Sequence, residues 1–418
     1  MLMALFEEAI AAISARHAMP PAFAALRPPG RTLVIALGKA AAEMAAVASE
    51  RLSGPFSGLV VTRAGHGLEA GRLDPRLRLI EAGHPIPDAP SQAAAEEALA
   101  LAHALEPGDR LLMLVSGGGS ALMALPAPGV SLADKQAITQ SLLRSGAMIS
   151  EINAVRKHLS RIKGGRLAVA AAPATVQTFV ISDIPGDDPS FVASGPTVAD
   201  PTTLAEARAI LTRYAVEAPE AVWAALNDPA NETPSPDALG LAGSEVRVIA
   251  RARDALAAAT RLAESQGYRV TDLGDRLQAE ARHLGAGHAG LARRLAGDGL
   301  PRIILSGGEA TVRVTNAQGR GGRNLEYLLG LAVALNGEPG IHAIACDTDG
   351  IDGTEDNAGA IIGPDTLARA AALGLDPHQA LRDNRSHAFF AALGDLVMTG
   401  PTRTNVNDFR AILIEGRA

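Results

Sequence analysis

The feature that most constrains this chain is a repeated two-part pattern. A short, wholly apolar run ends in glycine or serine, and the segment that follows has apolar residues at helical spacing. Thr32 to Leu37 (TLVIAL) passes through Gly38-Lys39 into AAAEMAAVASERL. A run that is apolar at successive positions has no face to offer water, so both of its faces must be covered. Similar runs stand at Leu59 to Thr62, Arg110 to Ser116 and Val176 to Ser182. Helices are predicted between them, one over Ser91 to Leu105 with Ser91 as N-cap and one starting at Ser131-Leu-Ala-Asp134. Strands alternating with helices predict an α/β fold with a parallel sheet covered by helices on each side.

At 418 residues the chain is long enough for two such units. The stretch Asn227 to Ser244 is rich in Pro, Asp, Asn, Gly and Ser, and it predicts a boundary between a larger domain, 1–238, and a smaller one, 239–418. The second half is expected to open with a strand at Val246 to Ala250. Further strands are predicted at Tyr268 to Leu273, Arg302 to Ser306, a strand-like TVRVT at 311–315, and Arg410 to Ile414.

Charge and composition remove whole classes of function. A net charge of -7 and 3% aromatic residues give neither the basic field nor the stacking surface that nucleic acid needs. The single cysteine, Cys346, excludes an internal disulfide and suits the cytoplasm. The N-terminal stretch carries Glu7 and Glu8 where a signal peptide needs basic residues, so it reads as an amphipathic helix. The uncharged stretch Leu111 to Leu132 is broken by glycine and proline and is rejected as a membrane span. Only four of the 38 Lys and Arg residues are lysines: Lys39, Lys135, Lys157 and Lys163. A lysine here is the exception and suggests a point-charge role, although Lys135 reads as an ordinary exposed one.

Open parallel sheets bind ligands beyond the carboxyl ends of their strands, so the residues after each apolar run are the informative ones. Ser116-Gly117-Gly118-Gly119-Ser120 follows LLMLV; its backbone N–H groups could cradle a phosphate, helped by the helix that follows. Gly38-Lys39 places an ammonium at the same rim. Asp183-Ile-Pro-Gly-Asp187-Asp188 offers carboxylates for magnesium or for orienting a hydroxyl. In the second half come Ser306-Gly307-Gly308-Glu309, then Arg320 and Arg323 among glycines beside Asn324, then Asp347-Thr-Asp349-Gly-Ile-Asp352, three acids in six residues that offer a second possible metal or nucleotide-ribose site. Guanidinium forks suit carboxylate or phosphate, and Arg323 is the preferred catalytic candidate. Lys157 could contact substrate or nucleotide, or simply form a salt bridge.

Two GxGxxG-like strings fail on context. Gly285 to Gly290 lies within a helical pattern, and Gly65 to Ala70 precedes residues that stop a helix. No P-loop and no protein-kinase set is present.

Taken together the strings resemble the glycerate 2-kinase family, whose C-terminal half is the MOFRL domain and whose members have also been named hydroxypyruvate reductases. The resemblance rests on GKA at 38–40, SGGGSAL at 116–122, EINAVRKHLSRIKGGRLA at 151–168, SDIPGDD at 182–188, ASGPTVADPTT at 193–203, SGGE, GGRN, DTDGIDG and TGPTRTNVNDFR. It implies a Rossmann-like N-terminal domain, a smaller mixed-sheet α/β domain of MOFRL type, and an active site in a cleft between them. It implies ATP and Mg2+ as cofactors and D-glycerate as acceptor at its 2-hydroxyl. Lys39, Asp183 and Arg323 are implied at the reacting centre, with Ser116 to Ser120 and Gly307 to Glu309 on the nucleotide. Lys157, Arg320, Asn324 and Asn405 are candidates for the substrate, and Asp187, Asp188, Asp347 and Asp349 for the metal. Arg385 stands where an acidic residue is expected. Two rival readings remain, an NAD(P)H-dependent hydroxypyruvate reductase and a non-catalytic small-carboxylate-binding protein. Neither nucleic acid nor membrane is expected as a partner, and assembly as a homo-oligomer is left open.

Overall fold

The computed structural model describes residues 1–21, 23 and 30–416. The chain divides into two compact units, one of residues 18–249 and the other of 1–17 together with 250–418. The predicted boundary at 238/239 is thus displaced to 249/250, and the first helix, α1 (Leu2–Ile13), belongs with the C-terminal unit. Among the described residues no helix is long and apolar enough to cross a membrane.

In the unit 18–249 six strands are β1 (Thr32–Leu37), β2 (Phe56–Arg63), β3 (Leu77–Ala82), β4 (Arg110–Val115), β5 (Thr175–Ile181) and β6 (Glu245–Ala250). Their order is β3-β2-β1-β4-β5-β6, with parallel pairing from β3 through β5. β1 and β4 are buried at every position, which is why the sequence shows them as unbroken apolar runs. β6, expected to open the second half, instead closes this sheet beside β5. The helix expected from Ser91 starts earlier, at Ala89–His103. Asp88 is its N-cap, and Ser91 is the third residue of a capping box with it. Ser131 does cap Leu132–Arg144, reciprocally with Asp134.

In the other unit the strands are β7 (Arg269–Asp272), β8 (Arg302–Gly308), β9 (Ile341–Asp347), β10 (Gly359–Ile362), β11 (Leu396–Val397) and β12 (Asp408–Ile414). They form a mixed sheet in the order β11-β10-β9-β12-β8-β7; only β7 and β8 pair in parallel. TVRVT at 311–315 forms no strand. Its alternation mimics one, but Val314 is 68% exposed and finds no sheet to join. The Gly285 to Gly290 string lies inside the helix Ala281–Ala296, as its context indicates. Against this sheet α1 buries Leu5, Phe6, Ala9 and Ile13. The Phe6 ring lies 5.8 Å from that of Phe409, and Thr404 Oγ1 donates to the Ile13 carbonyl.

Candidate active site

The order β3-β2-β1-β4-β5-β6 reverses direction between β1 and β4. That crevice, beyond the carboxyl ends of the two strands, is where open parallel sheets take ligands. The segments at this point are Gly38-Lys39 after β1 and Ser116 to Ser120 after β4. They are tied together: Lys39 N donates to the Gly117 carbonyl at 2.9 Å, and Ala40 N to Ser116 Oγ at 2.9 Å. Gly38 has φ of +122°, and a Cβ there would lie 2.3 Å from Ser116 Oγ, so no other residue lets the two turns approach this closely. Gly118 has φ of +85°, and a Cβ on it would sit between His84 and Lys39 Cγ. The helix that follows, Gly119–Leu122, has only four residues, so the expected helix-end field is small and any anion would rest on backbone and side chains instead.

Asp183 lies two residues beyond the end of β5, next to β4 in the sheet, and is half-buried. Asp187 has φ of 59° and ends a turn with its N–H on the Ile184 carbonyl. Asp188 is exposed, and its Oδ1 accepts from Ser190 N at 2.9 Å. Among the described residues no group of three His, Cys, Asp or Glu side chains is arranged to hold a metal ion.

The two long motifs at 151–168 and 193–203 lock onto each other. Ala193, Ser194 and Gly195 all have positive φ, and their carbonyls accept from Lys163 Nζ, Gly164 N and Gly165 N. Ser194 Oγ lies 2.7 Å from Ser120 Oγ, which links this clamp to the glycine loop. Lys157, a substrate candidate by sequence, is 1% exposed. Its Nζ sits 3.1 Å from Asp200 Oδ1 and over the Phe191 ring, as a buried structural ion pair. Beside the glycine loop opens a pocket of about 270 Å³, lined in part by His84, Gly118, Ser120, Lys135, Arg156 and Lys163. Lys135 is buried rather than exposed, and its Nζ donates to the carbonyls of Arg156 and Leu159. The scarcity of lysine was the signal that could have singled out Lys135 and Lys163; nothing in the sequence marks Arg156 among so many arginines.

In the other unit Arg323 begins the helix Arg323–Leu335 and is enclosed by carboxylates. Nε donates to Asp408 at 2.6 Å, Nη1 to Glu309 at 2.9 Å and Nη2 to Asp347 at 2.8 Å. Burial opposes the charge, but these three carboxylates outweigh it and hold the guanidinium charged well beyond its ordinary range. Asn324 is buried and donates to Asp352 and Asp408, so its amide is engaged within the protein. Asp352 caps the same helix through Asn324 N and Leu325 N. Burial first, and repulsion from Asp408, push its pKa up to about 6. Asp347 Oδ1 accepts from Asp349 N, and Asp349 Oδ1 from Ile351 N. Gly307 and Gly308 are strand residues rather than a phosphate loop. They pair with Phe409 and Asp408, Gly307 N donates to the Gly274 carbonyl, and a Cβ on Gly308 would strike the Leu277 backbone. Arg320 is exposed beside Glu355, Asn405 is buried with its Oδ1 accepting from Asn407 N, and Arg385 precedes the helix Ser386–Leu393. Sequence reasoning missed Asp408, for which the acid in NDFR at the head of an apolar run was the available signal, and it read Asp352 as part of a possible metal or ribose site where the structure makes it a helix cap.

Residues 1–227 match a domain of unknown function (DUF4147), and residues 302–408 match the MOFRL family. The D-glycerate 2-kinase of Thermotoga maritima is 39% identical over 383 residues, covering 90% of this chain and 89% of that one. This chain belongs to the glycerate 2-kinase family. A crystal structure of the glycerate kinase of Thermotoga maritima matches with a TM-score of 0.86, at 37% identity over 99% of this chain and 98% of that one. An Agrobacterium vitis protein provisionally named a hydroxypyruvate reductase is 52% identical over 93% of this chain and 88% of its own length. The MOFRL match and the mixed sheet that carries it agree with the C-terminal domain type implied by the motifs.

Proposed function

We propose that this protein transfers the terminal phosphoryl group of ATP to the 2-hydroxyl of D-glycerate, giving 2-phosphoglycerate and ADP. The observation that carries the reading is the junction of Gly38-Lys39 with Ser116 to Ser120 at the switch point of the parallel sheet, in a chain similar to glycerate kinases over nearly its whole length. In this reading Lys39 holds anionic oxygens and the glycine loop lets phosphate approach the backbone. Asp183 orients the attacking hydroxyl and takes its proton. Mg2+ usually takes one or two protein carboxylates and completes its shell with phosphate and water, so Asp187 and Asp188 would suffice in chemical type without a three-acid cage. Bound there, the ion would neutralise phosphate charge. Arg323 acts as a positioning residue that keeps Glu309, Asp347 and Asp408 in place. The reaction is assigned to the cytoplasm, where ATP is supplied and Cys346 stays reduced.

The reductase reading draws on the Agrobacterium vitis relatives and on a strand order that dinucleotide enzymes also use. The turn after β1 reads Gly38-Lys-Ala-Ala-Ala-Glu43, however, which lacks the glycine fingerprint that seats a pyrophosphate. Phosphorus NMR of protein with MgATP and D-glycerate tests the choice. A 2-phosphoglycerate resonance growing with ADP is expected. Unchanged glycerate, together with stoichiometric NADH oxidation by hydroxypyruvate, would refute the kinase reading.

A further inference from the structure

The pocket beside the glycine loop has a charge balance that a folded interior does not tolerate without a counter-ion. Lys135, Arg156 and Lys163 all line it, and among the described residues no Asp or Glu does. Among the described residues Lys135 donates to two backbone carbonyls, Lys163 to that of Ala193, and Arg156 Nε to Thr139 Oγ1 at 3.5 Å. The cations face one another: burial and mutual repulsion push the Lys135 ammonium well below its ordinary range, and burial with Arg156 brings Lys163 down to about 7. Gathering three cations with no anion is costly unless an anion completes the site. Part of the wall is apolar: Ile86 and Leu143 are 55% and 56% exposed, and both line the same opening.

We infer that this pocket is the nucleotide site, with the polyphosphate against Lys135, Arg156 and Lys163 and the base against Ile86 and Leu143. The inference rests on the kinase reading above and deepens it. The pocket shares Gly118 and Ser120 with the glycine loop, so a chain of phosphates seated on the cations ends beside Lys39. Glycerate, with one carboxylate and no apolar part, would leave both the extra positive charge and the Ile86–Leu143 surface unmatched.

Calorimetric titration with MgADP, paired with steady-state kinetics, tests this on the full-length protein and on Arg156→Gln, Lys163→Gln and Ile86→Asp. The last is a rim substitution that leaves the buried cations intact, so it reports even if the others fold poorly. Loss of a charge-assisted contact should weaken MgADP binding roughly ten- to a hundredfold, with the D-glycerate KM within about twofold of wild type. Titration in two buffers of different ionisation heat at pH 7.5 should show proton uptake on binding by wild type and less by Lys163→Gln. If the variants bind MgADP like wild type and the D-glycerate KM rises instead, the inference is overturned and the kinase reading survives. If wild type neither binds MgADP nor phosphorylates glycerate, both fall.

Discussion

Replacing Arg323 with alanine should unfold the protein more than it should merely silence it. The side chain is only 22% exposed and makes three ion pairs, with the Asp408 and Asp347 side chains 0% and 6% exposed. Removing the cation strips a buried ion pair from Asp347 and from Asp408, and leaves Arg410 as the remaining ion-pair partner of Asp408. Breaking a buried ion pair from one side costs about 3–5 kcal/mol, and in a unit of this size each kcal/mol moves the melting midpoint by about 2–4 °C, so a fall of about 10 °C is expected at pH 7. The sign with pH follows from Asp408. Burial raises its pKa, but Arg323 and Arg410 outweigh burial and hold it below the ordinary carboxylate range. A depressed carboxyl stabilises the fold above its unfolded pKa and loses that contribution as pH falls through the folded one. The deficit of Arg323→Ala should therefore be widest near neutrality and shrink as the medium is acidified through about pH 4. Melting curves of both proteins from about pH 2.5 to pH 8 measure it. Equal midpoints at pH 7, or a gap that ignores pH, would refute the argument.

Lys157→Met should cost about 3–5 kcal/mol by stranding Asp200, with the D-glycerate KM of the folded fraction unchanged; a raised KM at unaltered stability would return Lys157 to the substrate. Gly38→Ala should lose most turnover and about 1–3 kcal/mol, because its Cβ meets Ser116 and its φ is left-handed; denaturant midpoints and initial rates report both, and a variant as stable as wild type would contradict it. His288 has its pKa pushed down to about 4 by burial and then by Arg410, so the folded state resists protonation. Stability should fall as pH drops from about 6.5 towards 4, by at most about 3 kcal/mol, and His288→Gln should flatten the stability profile in that window.

What was legible in the sequence was whatever burial writes into consecutive residues. β1, β4 and β5 stand out because both faces of each are covered, and the glycines after β1 and β4 stand out because two turns must touch. β6 was recognised as a strand but given to the wrong sheet, since pairing with β5 is decided by a partner some seventy residues upstream and leaves no local mark. TVRVT has the period of a strand and none of its burial. Arg323 was picked for its chemistry, but its partners lie 14, 24 and 85 residues away, so their enclosure of it could not be read along the chain. The cationic pocket escaped for the same reason, being assembled from four separate stretches between His84 and Lys163.

The place of α1 has a bearing on how the polypeptide acquires its shape. Its apolar face, Leu5, Phe6 and Ile13, is closed in part by Phe409 and Thr404, so this helix is covered by a strand about four hundred residues further along the chain. Until the helix Ala252–Ser265, its main packing partner, has been made, α1 is an unsheltered amphipathic segment, a natural target for a chaperone that holds short apolar stretches. A truncated product beginning at residue 250 would carry the complementary bare patch on β12, and it should self-associate rather than behave as an independent module.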